Sequence, residues 1–235
     1  MITAPYKRLP WDSEFFGYEV FMADSQQAPE QLARTLEQLK GQARLVYLAS
    51  PEELDAPELL QSYNGKLVDV KTTYAKPTSA SAAFPPAVSF YEGLSASEQL
   101  IRLSIAAGIY SRYNTDPAIG RDKYEAMYRI WAERSANRSL AKYILICQEG
   151  PHIAGMVTLG EKNGRADIGL VAVDASSRGK GTASMLMEAA EHVAFREGYQ
   201  EIQVVTQRFN IPACRLYEKS GYKVIKEEYF YHFWL

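Results

Sequence analysis

The segment Ser176-Ser177-Arg178-Gly179-Lys180-Gly181-Thr182-Ala183 constrains this chain more than any other. It stands between an apolar, β-branched run, Ile168 to Val173, and a long amphipathic helical pattern that opens near Thr182. A strand that ends in a Gly-x-Gly turn and opens a helix leaves several backbone N–H groups aimed at one spot. The positive end of the helix dipole lies behind them, which favours phosphate or pyrophosphate. Glycine lets an anion approach the backbone closely, and Arg178 and Lys180 add charge. A Walker loop does not fit, because Lys180 is followed by Gly181 and position 174 is not glycine. A dinucleotide fingerprint needs a third glycine where Ser184 stands. A plain connecting turn is the remaining alternative.

The residues downstream decide against the plain turn. A strand pattern, Glu201 to Thr206, precedes Asn210-Ile211-Pro212-Ala213-Cys214-Arg215-Leu216-Tyr217-Glu218-Lys219-Ser220-Gly221-Tyr222. Asn210 suits a helix N-cap and Pro212 its first turn, Ala213, Leu216, Tyr217 and Ser220 share one stripe, and Gly221 ends the helix. This run resembles the Asn-x-x-Ala-x-x-x-Tyr-x-x-x-Gly-Phe/Tyr signature of the GNAT N-acetyltransferases at every named position. The upstream segment is similar to that family's coenzyme A pyrophosphate loop, Gln/Arg-x-x-Gly-x-Gly/Ala, departing from it at Ser176.

The resemblance implies a fold, a cosubstrate and a site. The fold is α/β (α+β), with a mixed, mostly antiparallel and splayed sheet. The cosubstrate is acetyl-coenzyme A, with its pyrophosphate on the loop at Arg178, Gly179, Lys180, Gly181, Thr182 and Ala183. Its pantetheine arm should lie on the strand at Leu170, Val171 and Val173 and touch Asn210. Tyr217 should act as general acid toward the departing thiolate, although an isolated Tyr217 would suit a packed core equally well. Many family members carry a glutamate base in the strand, but none occurs from Ile168 to Val173, and Asp167 is the nearest carboxylate. Water or the acceptor's own low basicity is therefore expected to suffice. His152, His192 and His232 are scattered, and no metal is expected.

Charge and composition narrow the partners. A formal net charge of −2 gives no electrostatic argument for nucleic acid or an anionic membrane. No apolar stretch approaches membrane-spanning length, and Met1 to Phe16 lacks a signal peptide's apolar core. Cys147 and Cys214 have neither metal-site nor disulfide-framework spacing, so both are expected as buried free thiols. The expected location is cytoplasmic, where acetyl-coenzyme A is available.

The chain reads as two halves. A smaller, truncated α/β domain over 1–76 should precede a linker over 77–87, rich in proline and small residues, and an acetyltransferase domain over 88–235. In the first half, Phe16 to Phe21 reads as a strand, Pro29 to Lys40 as a helix and Leu45 to Leu48 as a strand. Ser50-Pro51-Glu52-Glu53 reads as a capping box opening a helix to Ser62, and Leu67 to Tyr74 as a strand. In the second half, a capping box at Ser95 to Glu98 opens one helix, and Ala118 to Arg134 forms another with Tyr124, Met127, Tyr128 and Trp131 along one stripe. Strands follow at Lys142 to Gln148, Ile153 to Glu161 and, across an Asn163-Gly164 turn, Arg165 to Val173, with an end strand at Tyr229 to Trp234.

Further segments point to one branch of the family. Leu9-Pro10-Trp11-Asp12-Ser13-Glu14-Phe15-Phe16-Gly17 resembles the opening of the bacterial dTDP-fucosamine acetyltransferases, which acetylate dTDP-4-amino-4,6-dideoxygalactose. Ser111-Arg112-Tyr113-Asn114-Thr115-Asp116 is similar to their Ser-Arg-Phe-x-x-Asp segment, with Tyr128 and Trp131 following. This resemblance implies a nucleotide-linked amino sugar as small-molecule acceptor. Arg112, in a loop between helices, could pair its phosphate, and a structural pair with Asp116 is the alternative. A protein N-terminus, a polyamine or an antibiotic as acceptor remains open, as do a non-catalytic acyl-coenzyme A-binding module and a homodimeric state.

Overall fold

A computed structural model of the chain describes residues 4–79 and 83–235. The described chain divides into two compact units, residues 1–71 with 227–235, and residues 72–226.

In the first unit, β1 (Tyr6–Arg8) is followed by α1 (Pro10–Phe16), β2 (Val20–Ala23), α2 (Pro29–Leu39), β3 (Leu45–Ser50) and α3 (Pro57–Ser62). Strand β4 (Gly65–Pro77) carries the chain out of this unit, and β10 (Lys223–Trp234) brings it back. β1 pairs antiparallel with β2, β2 parallel with β3, and β3 antiparallel with the end of β10, Tyr229 opposite Ser50. Leu32, Leu36 and Leu39 on one stripe of α2 pack with Val46, Leu48, Tyr231 and Phe233.

Two expectations for this unit fail. Phe16 does not begin a strand but ends α1, and the strand starts at Val20. Pro10 sets the helical φ at the first position, Trp11 stacks on Phe15 at 5.2 Å, and Gly17 at φ 79 closes the helix by donating to Ser13 O. The expected helix from Ser50 is absent over Pro51 to Ala56 and begins only at Pro57. A helix from Pro51 would need the N–H that Pro57 lacks, so the chain restarts with Pro57 in the first turn.

The second unit continues with β5 (Val88–Phe90), α4 (Glu98–Ala107), α5 (Arg112–Thr115), α6 (Arg121–Ala136), β6 (Tyr143–Glu149), β7 (His152–Lys162) and β8 (Arg165–Val173). A short 3-10 turn at Ala175–Ser177 leads to α7 (Thr182–Arg196), β9 (Glu201–Gln207) and α8 (Ile211–Lys219). Strand order here is β4-β9-β8-β7-β6-β5. β5 to β8 form an antiparallel run, and β8 pairs parallel with β9. The sheet is thus mixed and mostly antiparallel, as expected. Asn163 at φ 55 and Gly164 at φ 77 make the tight turn between β7 and β8. Leu186, Ala189, Ala190 and Val193 of α7 bury against Val157, Ile168, Ile202 and Val204.

The helix starts in this unit differ in detail from the sequence reading. Ser97 rather than Ser95 caps α4, accepting from Leu100 N at 3.3 Å. α6 starts at Arg121 because Gly120, at φ 86, turns the chain immediately before it. Residues 80–82 of the expected linker lie outside the described residues.

Candidate active site

The Gly-x-Gly turn joins β8 to α7 as the sequence pattern predicts. Gly179 lies at φ 76 and Gly181 at φ 84, the left-handed region that side chains rarely adopt. Among the described residues, no backbone N–H from Gly179 to Ser184 donates a backbone hydrogen bond, and Met185 is the first of the helix to do so, to Gly181 O at 3.1 Å. No side chain among the described residues caps α7. The result is a row of open donors at the positive end of a helix of 15 residues, a fit for a diphosphate.

The side chains around the turn are held back from it. Arg178 Nε donates to Val173 O at 3.3 Å, and Lys180 Nζ lies 3.4 Å from Glu149 Oε1. Both cations are exposed. Ser176 has a local task, since its N–H and hydroxyl both donate to Asp174 Oδ1, at 3.0 and 2.5 Å. These hydrogen bonds hold the Asp174 carboxyl below its ordinary pKa. The residue that departs from the family loop therefore secures the turn. Thr182 is buried and its hydroxyl donates to Ser177 O, while Ala183 is half-buried.

β8 and β9 stop pairing partway along their length. Their pairing runs from Ala166↔Ile202 to Ile168↔Val204, although β8 continues to Val173 and β9 to Gln207. β8 also carries an extra residue opposite Thr158: Val157 pairs with Val171, but Leu159 pairs with Ile168. The Leu170 N–H that this bulge would orphan donates to Thr158 Oγ1 at 2.8 Å. The bulge changes the alternation, so Val171 and Val173 join Ile168 on the α7 side, while Leu170 and Ala172 are buried outside that cluster.

Helix α8 follows β9. Asn210 caps it, its Oδ1 accepting from Ala213 N at 3.4 Å while its Nδ2 donates to Thr206 Oγ1 at 3.3 Å. Cys214 and Tyr217, one and two turns on, lie on the same face as Asn210. Tyr217 is 4% exposed, with its ring centroid 5.6 Å from that of Tyr74 and 6.2 Å from that of Tyr222. Burial, with Cys214 adding to it, pushes the Tyr217 hydroxyl above the ordinary tyrosine value. Cys147 and Cys214 are both free and buried.

Arg112 is not the open loop residue that the sequence suggests. It starts the one-turn helix α5 and is 9% exposed. Its guanidinium lies 4.3 Å over the Tyr113 ring and donates to the Tyr113 hydroxyl. Tyr113 in turn meets Trp131 edge-on, so this segment packs with the aromatic stripe of α6.

Residues 107–222 match the family model described as Acetyltransferase (GNAT) family. The chain carries a GNAT acetyltransferase domain. Over 231 residues it is 27% identical to the dTDP-fucosamine acetyltransferase of Escherichia coli O6:H1, covering 97% of both chains. It is also 27% identical over 124 residues to the spore coat polysaccharide biosynthesis protein SpsD of Bacillus subtilis. That match spans 53% of this chain and 43% of the Bacillus protein. A GCN5-related N-acetyltransferase from Kribbella flavida shares the fold, with a TM-score of 0.60 at 14% identity over 99% of this chain and 88% of that one. As a member of this acyl-coenzyme A-dependent class, the GNAT domain brings the open loop of α7, the parting of β8 and β9, and the Asn210–Tyr217 face into one unit.

Proposed function

We propose that this protein transfers the acetyl group of acetyl-coenzyme A to the 4-amino group of a dTDP-linked 4-amino-4,6-dideoxy sugar. The observation that carries the acceptor is the 27% identity extending over 97% of both chains to the Escherichia coli enzyme, including the half that precedes the GNAT domain. On this reading 88–235 is the catalytic domain, joined through 77–87 to the smaller domain at 1–76. Arg112 would serve the acceptor's phosphates from beside Tyr113, and the protein would work in the cytoplasm.

The coenzyme supplies an acetyl thioester, and the remaining chemistry belongs to this chain. The amides from Gly179 to Ala183 would cradle the pyrophosphate, Lys180 exchanging Glu149 for it and Arg178 adding a second cation. The freed edge of β8 at Leu170, Val171 and Val173 would hold the pantetheine arm, with Asn210 facing it across the parted strands. The acceptor nitrogen then bonds to the carbonyl carbon, the carbon–sulfur bond breaks, and the amine's proton passes to water. Tyr217 stays neutral because burial raises its pKa, so it can donate to the departing sulfur. A thiol ordinarily titrates near about 8.5, well below such a phenol. Tyr217 therefore helps by donating a hydrogen bond to the sulfur as the charge develops and keeps its own proton, and the thiolate leaves to be protonated by water, which has taken the amine's proton.

A thiol-release assay tests the reading. Purified protein with acetyl-coenzyme A should release free thiol with dTDP-4-amino-4,6-dideoxygalactose and stay near background with spermidine or a peptide. Rapid turnover of spermidine or a peptide, with none of the nucleotide sugar, would overturn the acceptor assignment.

A further inference from the structure

A cavity of about 440 Å³ lies at the other end of α7 from the Gly-x-Gly turn. It is bounded by the turn after α6, the start of β6, the end of β7 and Tyr199. Tyr199 stands beyond the C-terminus of α7, whose 15 residues separate it from the turn by roughly 22 Å. None of the residues assigned to acetyl transfer lines this space.

Arg138 is its unusual member. Its φ is 67, and the other described non-glycine residues at positive φ are Asn64 and Asn163, a residue type that tolerates this conformation. Arg138 follows the C-cap Asn137 of α6, the place where glycine relieves backbone strain. An arginine there has its side chain fixed at a backbone cost that glycine would not incur. Nη2 donates to Tyr91 O at 2.6 Å, which accounts for one edge of the guanidinium. Nη1 is buried and has no hydrogen-bond partner among the described residues. A buried charged donor left open is expensive, and a missing anion or water is its usual explanation.

The rest of the lining fits a small anion. Lys142 also lines the cavity, with its ammonium paired to Glu197. Among the described residues of the wall the one carboxylate, Glu161, accepts from the Tyr199 hydroxyl at 2.9 Å. Gly160 leaves backbone at the wall, and the half-exposed Leu140 adds an apolar side.

We propose that this cavity binds a small oxyanion, a carboxylate or a phosphate, on the Arg138 guanidinium with Lys142 as the second donor. The site is separate from the coenzyme turn and does not depend on which amine is acetylated. Backbone amide NMR of the full chain, in saturating coenzyme A at constant ionic strength, tests it by titration with inorganic phosphate and, separately, with acetate. Saturable shifts are expected at Leu140, Lys142, Gly160 and Tyr199, and the tighter of the two probes identifies the anion class. Arg138→Gly, which suits the backbone at that position, should weaken binding at least tenfold, and Arg138→Lys less. Shifts that track chloride equally, or that survive Arg138→Gly, overturn the proposal. Absence of any saturable shift in a folded protein reduces Arg138 to a clamp on the Tyr91 carbonyl.

Discussion

The Gln203 side-chain amide donates to the Asp167 carboxylate at 2.7 Å, one residue before β8 and β9 cease to pair. Asp167 alternates with the buried Ala166 and Ile168, so its side chain lies on the face of the sheet away from α7. Burial pushes the Asp167 carboxyl above its ordinary pKa, and the Gln203 bond and the Lys162 charge oppose that rise without cancelling it. A desolvated carboxylate thus stands beside the point where β8 and β9 part, on the strand where the sequence shows no glutamate.

Its pH signature follows from the sign of the shift. A folded-state pKa raised above the unfolded value means that the native protein binds this proton more tightly. Asp167 therefore favours folding most below the unfolded value of about 3.9, and this contribution declines as pH rises through the folded pKa. Asp167→Asn keeps an acceptor for Gln203 and removes the charge. Urea unfolding should find the variant at least as stable as the wild type at pH 7, with that advantage vanishing toward pH 4. Turnover should stay within about threefold if, as proposed, water takes the amine's proton. A loss of about a hundredfold in kcat would move the base role to Asp167.

The bulge in β8 depends on one hydroxyl. Thr158 is 3% exposed and accepts from the Leu170 N–H. Thr158→Val conserves shape and strands that amide, so unfolding free energy should drop by about 1–3 kcal/mol. Thr158→Ser should recover most of the loss. Because the bulge sets the direction of Leu170 to Val173, the valine variant should also raise KM for acetyl-coenzyme A. Equal stability of the valine and serine variants would show that the amide finds another partner.

These residues also mark where sequence reasoning stops. The Gly179–Gly181 turn and the Asn210 cap were legible because positive φ, helix periodicity and capping are local properties. The Asn163-Gly164 hairpin was legible for the same reason. The bulge was not, since it depends on Thr158 meeting Leu170 across two strands. The burial of Arg112 beneath Tyr113 likewise comes from tertiary packing against α6. The helix over Pro10 to Phe16 could have been read, because Pro10 and Gly17 bracket it, but only Phe16 was placed in an element, the strand that follows. The local task of Ser176 was hidden because its partner Asp174 is an ordinary acidic residue in sequence.

At Gly181 the backbone and the proposed coenzyme contact separate cleanly. A Cβ there would meet no atom within 4 Å, yet the φ of 84 strains any side chain. Gly181→Ala should therefore lose about 1–2 kcal/mol of stability through strain alone. Relaxing that strain redirects the amides at the start of α7, so calorimetry should show coenzyme A binding at least tenfold weaker. Unchanged affinity in the folded variant would remove the pyrophosphate from this turn.

Tyr217 provides the sharpest test of the chemistry. Its ring fills the core between Tyr74 and Tyr222, and its hydroxyl is held above the ordinary tyrosine pKa by burial. Tyr217→Phe keeps that ring packing and removes the donor, so thermal stability and coenzyme affinity should stay close to wild type. A positioned acid contributes about 10²–10⁴-fold, and a donor that only hydrogen-bonds the developing thiolate should lie toward the lower end. The expected result is a kcat lower by at least about tenfold with KM for acetyl-coenzyme A unchanged, the pattern of an interaction made only in the transition state. The wild-type pH profile supplies a second check. A phenol that remains neutral beyond about pH 10 cannot produce an alkaline fall in rate below that pH. An alkaline limb near pH 8 that disappears in Tyr217→Phe would contradict the raised pKa, and full turnover in the variant would make Tyr217 a core residue with no part in the departure of the thiolate.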